Sequence, residues 1–243
     1  MRVINDPHFF MKIFLDTAET DLIRKYYGTG MIDGITTNPT LIRKSGRDPE
    51  DVYRELAMAG IPDISMEVVE DMIGEGRRLS KEFPEVCTVK VPCTPEGLKA
   101  CKVLSDDGVR VNVTLIFNAA QAILASKAGA AYVSPFIGRL DDNSVAGLEV
   151  VRSISEVYRV QGVKTEILAA SIRDVYKVSR SFWNGAHIVT MPPKIFEGMY
   201  KHILTDKGLE IFDADYQATI SRSKAFTIPE INNGKHGKDL DAF

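Results

Sequence analysis

The sequence has few cysteines and histidines, and their spacing is not that of a metal site. The three cysteines, Cys87, Cys93 and Cys101, show neither C-x-x-C spacing nor an even count, which argues against a disulfide framework or a structural zinc site. The four histidines are scattered along the chain. We therefore expect reduced thiols in a cytoplasmic protein, and no bound metal.

The chain also lacks a strong charge bias and any apolar run of membrane-span length. Its 30 Lys and Arg residues are balanced by 33 Asp and Glu residues, whereas proteins that bind nucleic acid or membrane surfaces usually carry a basic face. Asp6 and Pro7 interrupt the region where a signal peptide would need an apolar segment. We expect neither nucleic acid nor a membrane as a partner.

Short apolar runs alternate with amphipathic stretches, which is typical of repeated βα units around a parallel sheet. The sequence lacks the complete G-x-G-x-x-G turn of a doubly wound sheet, because Gly28-Thr29-Gly30 has no third glycine at the right spacing. We predict an α/β fold with a single (β/α)8 TIM barrel, which suits 243 residues. The predicted strands are residues 12–16, 34–38, 63–68, 87–91, 110–115, 132–136, 166–171 and 187–191.

Both ends of the chain differ from this repeat. Residues 1–10 precede Met11 at the start of the first predicted strand, and we interpret them as an N-terminal extension. The barrel is expected to end in an additional C-terminal helix over residues 208–223, so that the catalytic domain spans residues 11–223. Residues 232–238 are polar and contain glycine, and we predict a flexible tail over residues 224–243.

One predicted strand contains a lysine, Lys90, between Val89 and Val91. Burial disfavours the ammonium form, so an enclosed lysine loses its proton more readily and becomes a nucleophile toward carbonyl groups. The ordinary alternative is a lysine whose stem packs at a strand end while its amine reaches water. The other strand ends decide between these two interpretations.

Polar residues stand near the carboxyl ends of the predicted strands, where the active sites of α/β barrels lie. Any one of them could instead cap the following helix. Three of these residues, Asp16, Glu67 and Lys90, are ionisable. Burying all three inside one barrel would be costly unless they interacted, and this combination favours Schiff-base chemistry. The candidate residues are Asp16, Asn38, Glu67, Lys90, Asn112, Thr114, Ser134 and Ser171.

Six segments at these strand ends carry longer motifs. They are LDT at residues 15–17, GITTNP at 34–39, VKVP at 89–92, NVTLIFN at 112–118, YVSPFIGR at 132–139 and AASIR at 169–173. In this order they resemble the motifs of transaldolases, specifically the short form found in bacteria and in some bacteriophages. The resemblance runs from about residue 11 to about residue 215.

The resemblance implies an imine between Lys90 and the C2 ketone of fructose 6-phosphate or sedoheptulose 7-phosphate, without a cofactor or metal. The C3–C4 bond would then break, and the dihydroxyacetone unit would pass to erythrose 4-phosphate or glyceraldehyde 3-phosphate, a step of the non-oxidative pentose phosphate pathway. Asp16 would act as the acid and base at the C4 hydroxyl. Glu67 and Thr114 would hold a catalytic water.

The resemblance also implies two binding regions and an assembly. Asn38, Asn112, Ser134 and Phe136 would surround the dihydroxyacetone unit, and the phosphate would be bound by Arg139, Ser171 and Arg173. For Arg139 the ordinary alternative is an ion pair with Asp141 or Asp142, and for Arg173 a solvated position. Members of the family form homo-oligomers, and ten-subunit rings are expected, with the last helix of each subunit on a neighbour.

Two other functions stay open. Fructose 6-phosphate aldolase shares the lysine but releases free dihydroxyacetone, and it typically has glutamine at the position of Glu67 and tyrosine at that of Phe136. Because Phe136 cannot donate a proton to the bound carbanion, the sequence favours transfer. A barrel that only binds sugar phosphates is the third hypothesis, which does not explain why a nucleophile and its proton relay occur together.

Overall fold

The computed structural model describes the backbone of residues 11–225 and the side chains of residues 11–222. The predicted extension over residues 1–10 and nearly all of the predicted tail over residues 224–243 lie outside this range. The chain divides into two compact units after Met199, and each unit is described by itself.

Within the first unit, eight parallel strands close into a barrel in chain order, and the last strand pairs with the first. Glu67 lies opposite Lys90, and Lys90 lies opposite Asn112 on the next strand. The predicted (β/α)8 barrel is confirmed. The strands are β1 (Lys12–Asp16), β2 (Gly34–Thr36), β3 (Ile64–Glu67), β4 (Cys87–Pro92), β5 (Val111–Ile116), β6 (Tyr132–Pro135), β7 (Glu166–Ala169) and β8 (Ile188–Met191).

Ten helices accompany these strands in residues 11–199. Several begin at a residue that the local sequence marks: Asn38 and Asn118 each accept a hydrogen bond from a backbone N–H three residues later, at 3.0 and 2.9 Å, which satisfies a free donor of the first turn. The helices are α1 (Thr20–Tyr27), α2 (Pro39–Ser45), α3 (Pro49–Met58), α4 (Met72–Glu82), α5 (Pro95–Asp106), α6 (Ala119–Lys127), α7 (Ile137–Asp142), α8 (Gly147–Gln161), α9 (Val175–Trp183) and α10 (Pro193–Gly198).

Two strands, β2 and β7, end two residues earlier than the apolar pattern predicts. β2 ends at Thr36, because Pro39 occupies the first turn of α2 and Asn38 caps that helix. β7 ends at Ala169, and Ser171 has a φ of 59°, a left-handed conformation that does not occur in a strand. The candidate residues Asn38 and Ser171 therefore lie in loops at the barrel mouth rather than at strand ends.

The side chains of each strand alternate between the helical layer and the barrel interior. In β4, Val89 and Val91 belong to the apolar core between strands and helices. Thr88 instead donates a hydrogen bond to the carboxylate of Asp63, just before β3. Lys90 donates to the backbone carbonyl of Thr37, just after β2. In β4, strand alternation therefore places Lys90 in the barrel interior while its neighbours Val89 and Val91 face the helices.

The interior below the mouth is filled by a separate apolar cluster. It consists of Phe14, Tyr132, Leu168, Ala170 and Ile188. Gly34 makes room for this packing, because a Cβ at that position would lie 2.5 Å from Cζ of Phe14 and 2.8 Å from the backbone oxygen of Asp63. The barrel is therefore a packed core, with its polar cavity at the carboxyl ends of the strands.

The second unit contains α11 (Ile203–Ala225). The additional C-terminal helix predicted from Gly208 begins five residues earlier, because the His202 imidazole accepts a hydrogen bond from the Leu204 backbone N–H at 3.1 Å and starts the first turn. Large apolar side chains on α11 are exposed, among them Leu209, Phe212 and Tyr216. No helix in the described part of the chain is both long and apolar enough to cross a membrane.

Candidate active site

Lys90 is enclosed at the barrel mouth with a carboxylate beside its amine. The residue is 4% exposed, and its Nζ lies 2.9 Å from Oε2 of Glu67 and donates to the Thr37 carbonyl at 2.8 Å. The alternative of a lysine that reaches water at the strand end does not hold. The geometry provides an amine with a fixed position and a proton acceptor within hydrogen-bond reach.

Thr37 and Tyr53 form a layer behind Lys90 that the sequence did not reveal. The Thr37 hydroxyl donates to the backbone oxygen of Ser65 at 2.9 Å and lies 3.3 Å from the Tyr53 hydroxyl. Since the Thr37 hydrogen is used on Ser65, Tyr53 is the donor to Thr37. Burial raises the pKa of Tyr53 to about 12, which keeps this phenol protonated and able to donate.

Asp16 ends β1, which is separated from β4 by β2 and β3 in the barrel, and it lines the same cavity as Lys90. Its Oδ1 accepts a hydrogen bond from the Thr36 hydroxyl at 2.8 Å, and Thr36 lies 2.7 Å from the Thr190 hydroxyl. Burial raises the pKa of Asp16 above its ordinary value, although the positive charge of Lys90 and the Thr36 hydrogen bond act in the opposite direction. A carboxyl group with a raised pKa is suited to both accepting and donating a proton.

Asn112 and Ser134 belong to a buried hydrogen-bonded row beneath the mouth. The Asn112 amide nitrogen donates to Ser65 Oγ at 3.2 Å, and Ser134 Oγ donates to the Asn112 oxygen at 2.7 Å. Ser134 lines the cavity, whereas Asn112 is fully buried and does not line it. The side-chain nitrogen and oxygen of Asn112 each make one hydrogen bond to a serine, and its contact with a substrate stays a prediction.

Thr114 carries a buried hydroxyl at the mouth. Among the described residues its Oγ1 has no hydrogen-bond partner, although the residue is only 1% exposed. The next residue, Leu115, has a φ of 58°, and the pairing of β5 with β6 is irregular between Val113 and Ile116. Left-handed backbone at a branched residue is strained, and such strain concentrates at functional sites.

The mouth contains two adjoining cavities of about 120 and 340 Å³. They share lining residues: Asn38, Lys90, Thr114, Phe136 and Arg139. The first cavity also contacts Asp16, Ser134 and Ser171, and the second contacts Glu67. Nine of the eleven candidate residues thus line one polar opening, and Asn112 and Arg173 do not.

Arg139 is an exposed cation at the rim of this opening. Its Cζ lies 5.1 Å from the centre of the Phe136 ring, and Phe136 is contacted edge-on by Phe117 at a ring distance of 6.0 Å. Among the side chains of residues 11–222, no carboxylate forms an ion pair with Arg139. The predicted alternative of a pair with Asp141 or Asp142 does not occur.

Arg173 is the residue that pairs with Asp142. Its side chain lies beside Gly138, where an added Cβ would be 2.7 Å from Nε of Arg173 and 2.2 Å from the Ser171 backbone oxygen. Glycine at this position lets the loop after β7 pack against α7. The two arginines therefore lie on neighbouring elements. Arg173 is held in an ion pair with Asp142, whereas Arg139 forms no ion pair with the side chains of residues 11–222.

The cysteines do not compete with Lys90 as nucleophiles. Burial raises the pKa of Cys87 and of Cys101 to about 12, and burial also raises the pKa of Cys93. A cysteine acts as a nucleophile in its thiolate form. None of the three cysteines, all of which lie among the described residues, therefore supplies a ready thiolate that could take the place of the Lys90 amine.

The sequence profile of the family described as Transaldolase/Fructose-6-phosphate aldolase matches residues 13–240. The chain belongs to this family. The buried lysine on β4 and the polar ring around it therefore lie in a barrel whose family performs transaldolase or aldolase chemistry. The resemblance noted in the motifs is confirmed.

Individual relatives are similar over most of their length. A protein named "Probable transaldolase" from Cereibacter sphaeroides is 51% identical over 213 residues, which cover 86% of this chain and 97% of that protein. One of the same name from Paracoccus denitrificans is 52% identical, with 86% and 98% covered. Another from Agathobacter rectalis is 51% identical, also with 86% and 98% covered.

A solved structure with a different activity shares the fold. Thiamine phosphate pyrophosphorylase from Pyrococcus furiosus aligns with a TM-score of 0.51 and 16% identity, covering 76% of this chain and 88% of that one. At this identity the likeness concerns the barrel alone.

Several residues that shape this family member's site were missed in the sequence. Thr36 and Thr37 lie within the GITTNP motif but were given no role, and Tyr53 lies in none of the quoted motifs. Thr36 lies directly opposite Asp16 where β1 pairs with β2. Residues that are opposite each other on paired strands point to the same face of the sheet, so Thr36 could have been predicted to face the barrel interior together with Asp16. Tyr53 lies on α3 and reaches Thr37 across the fold, which no local pattern indicates.

Proposed function

We propose that the protein is a transaldolase that transfers a dihydroxyacetone unit between sugar phosphates through an imine at Lys90. The observation that carries the proposal is the enclosed Nζ of Lys90, 2.9 Å from Glu67, in a cavity that also contains Asp16 and Thr114. A protein that only binds sugars has no need of a buried amine with a proton acceptor beside it.

Imine formation requires Lys90 to lose a proton and a ketone oxygen to leave as water. In this proposal Glu67 accepts the proton from Nζ, which its distance of 2.9 Å supports, and the amine then adds to C2 of fructose 6-phosphate or sedoheptulose 7-phosphate. Protonation of the resulting C2 hydroxyl releases water and leaves the imine. The unpartnered Thr114 hydroxyl supports a water at this point, held between Thr114 and Glu67.

Cleavage of the C3–C4 bond requires a second proton transfer, which we assign to Asp16. Its carboxylate takes the proton of the C4 hydroxyl, the C3–C4 bond breaks, and the electron pair is delocalised onto the protonated imine. The aldose phosphate leaves, while the three-carbon unit stays on Lys90. Asp16 returns the proton when the carbanion adds to the aldehyde of erythrose 4-phosphate or glyceraldehyde 3-phosphate. The raised pKa of Asp16 supports this double role.

The three-carbon unit is proposed to lie against Asn38, Ser134 and Phe136, with Asn112 holding Ser134 from below. Arg139, Ser171 and Arg173 are proposed to bind the phosphate. The support is their position at one rim of the opening, where Arg139 and Ser171 line the cavity. Because guanidinium groups bind phosphate oxygens in a fixed geometry, arginines are suited to this function.

Transfer rather than simple cleavage is favoured by Phe136. The ring lines both cavities and has no acidic proton, so it cannot protonate the bound carbanion. The intermediate then persists until an aldehyde acceptor arrives. Glu67 in place of glutamine agrees with this assignment, and the aldolase reaction that releases free dihydroxyacetone is the alternative outcome.

We also propose that the protein is a cytoplasmic homo-oligomer, a decamer by family resemblance, in the non-oxidative pentose phosphate pathway. The exposed apolar side chains of α11 support an assembly, because large apolar surfaces of this kind usually mark interfaces. Light scattering tests it: a monomeric mass contradicts the proposal.

The function is tested by borohydride reduction in the presence of fructose 6-phosphate, followed by peptide mass analysis. We expect the three-carbon adduct on Lys90, none in Lys90→Met, and the usual amount in Lys102→Met, which removes an exposed lysine paired with Asp106. A coupled assay with and without erythrose 4-phosphate separates transfer from cleavage. Adduct at another lysine, or none, contradicts the proposal.

A further inference from the structure

Asp142 occupies the terminal nitrogens of Arg173. Nη1 of the arginine donates to Oδ1 of Asp142, and Nη2 donates to Oδ2. Asp142 is the last residue of α7, whereas Arg173 lies in the loop between β7 and α9. The ion pair therefore joins the two elements that carry the proposed phosphate-binding residues, and it lies at the rim of the cavity rather than within it.

The other edge of the Arg173 guanidinium is also restricted. A Cβ at Gly138 would lie 2.7 Å from Nε of Arg173, so this nitrogen lies close to the backbone of α7. A phosphate can gain a bidentate contact with the terminal nitrogens only where the Asp142 carboxylate is displaced. Arg139 differs, because no side chain in residues 11–222 holds it in an ion pair.

We propose that Asp142 competes with the phosphate group of the substrate for Arg173 and so limits how tightly phosphorylated sugars are retained. The assignment of Arg173 to the phosphate rests on the proposed function. The Asp142 and Arg173 side chains are 48% and 51% exposed, and an ion pair this exposed is weak. A dianion can replace it and is released again when the carboxylate returns.

This competition suits a reaction with two half-steps. One aldose phosphate must leave the mouth before the next can enter, while the three-carbon unit stays on Lys90. An internal carboxylate that recaptures Arg173 shortens the residence of the departing phosphate, because changes in affinity mostly appear in the dissociation rate. Arg139 still attracts the incoming phosphate.

The test is the dissociation constant of inorganic phosphate, measured by titration calorimetry at fixed ionic strength. Asp142→Asn keeps the shape and removes the charge, and we expect phosphate to bind about two- to fivefold more tightly, the range given by exposed ion pairs. The KM for fructose 6-phosphate should fall similarly, whereas the KM for the unphosphorylated acceptor glyceraldehyde should not. Asp142→Glu should restore the wild-type affinity, and Asp142→Ser should act like the asparagine variant.

Two controls make the test specific. Asp106→Asn removes the same charge from the exposed pair with Lys102, and no tighter binding is expected. In an Arg173→Gln background, Asp142→Asn should have no further effect. Unchanged or weaker phosphate binding in Asp142→Asn, or an equal gain in Asp106→Asn, overturns the proposal. Phosphate binding is measured without turnover, so a failure of the transaldolase function is seen separately in the borohydride and acceptor assays.

Discussion

Replacing Asp16 by asparagine should make the protein more stable and nearly inactive. Burial raises the pKa of the Asp16 carboxyl, and this effect outweighs the attraction of Lys90 and the hydrogen bond from Thr36. The folded protein therefore holds the charged form of Asp16 at a cost. Asparagine keeps the size and removes the charge, so the cost disappears together with the acid and base.

The stability gain follows from the shift of the pKa. Each unit by which the folded state raises it costs about 1.4 kcal/mol once the group is ionised in both states. For a chain of 243 residues, about 1 kcal/mol corresponds to roughly 2–4 °C in Tm. The rate should change in the opposite sense, with kcat lower by about 10²–10⁴, because a positioned acid and base contributes that much.

The pH dependence has a defined sign. Below the ordinary pKa of 3.8 Asp16 is protonated in the folded and unfolded states, so its protonation creates no stability difference. As the pH rises through the interval up to the raised pKa, the unfolded chain releases its proton first, and the wild type loses stability relative to Asp16→Asn. Above that interval the difference stays constant.

Thermal and chemical denaturation from pH 4 to pH 8 measure this difference directly. Asp106→Asn is the matched control, since it removes an exposed carboxylate from the pair with Lys102 and should change stability by less than about 0.5 kcal/mol. An Asp16→Asn protein that is less stable than the wild type at pH 7, or a gap that widens toward pH 4, would refute the reasoning.

Three further substitutions test separate parts of the structure. Thr114→Val removes the unpartnered hydroxyl; imine formation in single-turnover trapping should slow about 10- to 100-fold, less than a full acid or base contributes, while stability changes by less than about 1 kcal/mol. Phe136→Tyr supplies a phenol at the carbanion, so the ratio of free dihydroxyacetone to transfer product should rise. Gly34→Ala places a methyl group 2.5 Å from Cζ of Phe14 and should lower the free energy of unfolding by about 1–3 kcal/mol.

Each of these has an outcome that contradicts it. Wild-type trapping kinetics in Thr114→Val would remove the hydroxyl from the proposed proton relay. An unchanged product ratio in Phe136→Tyr would mean that the ring does not control the fate of the carbanion. Unchanged stability in Gly34→Ala would mean that Phe14 has room to move, and Gly30→Ala, where nothing lies within 4 Å of the added Cβ but φ is +75°, separates packing from backbone strain.

The sequence by itself determined the barrel and the contents of its mouth. Apolar runs separated by amphipathic helices dictate parallel strands, and the carboxyl ends of such strands meet at one edge. Lys90, Glu67 and Asp16 could therefore be assigned to one site without coordinates. The same local patterns placed Asn38 and Ser171 at strand ends, and a helix cap and a left-handed residue moved both into loops.

The tertiary structure alone decided the partner of each side chain. Arg173 pairs with Asp142, 31 residues away, while Arg139 has no carboxylate partner among the side chains of residues 11–222, although both arginines carry the same charge. Lys90 donates to a carbonyl 53 residues distant. Strand periodicity fixes which face a residue occupies, but distances between charges depend on how loops from different strands pack, and that is set by the whole fold.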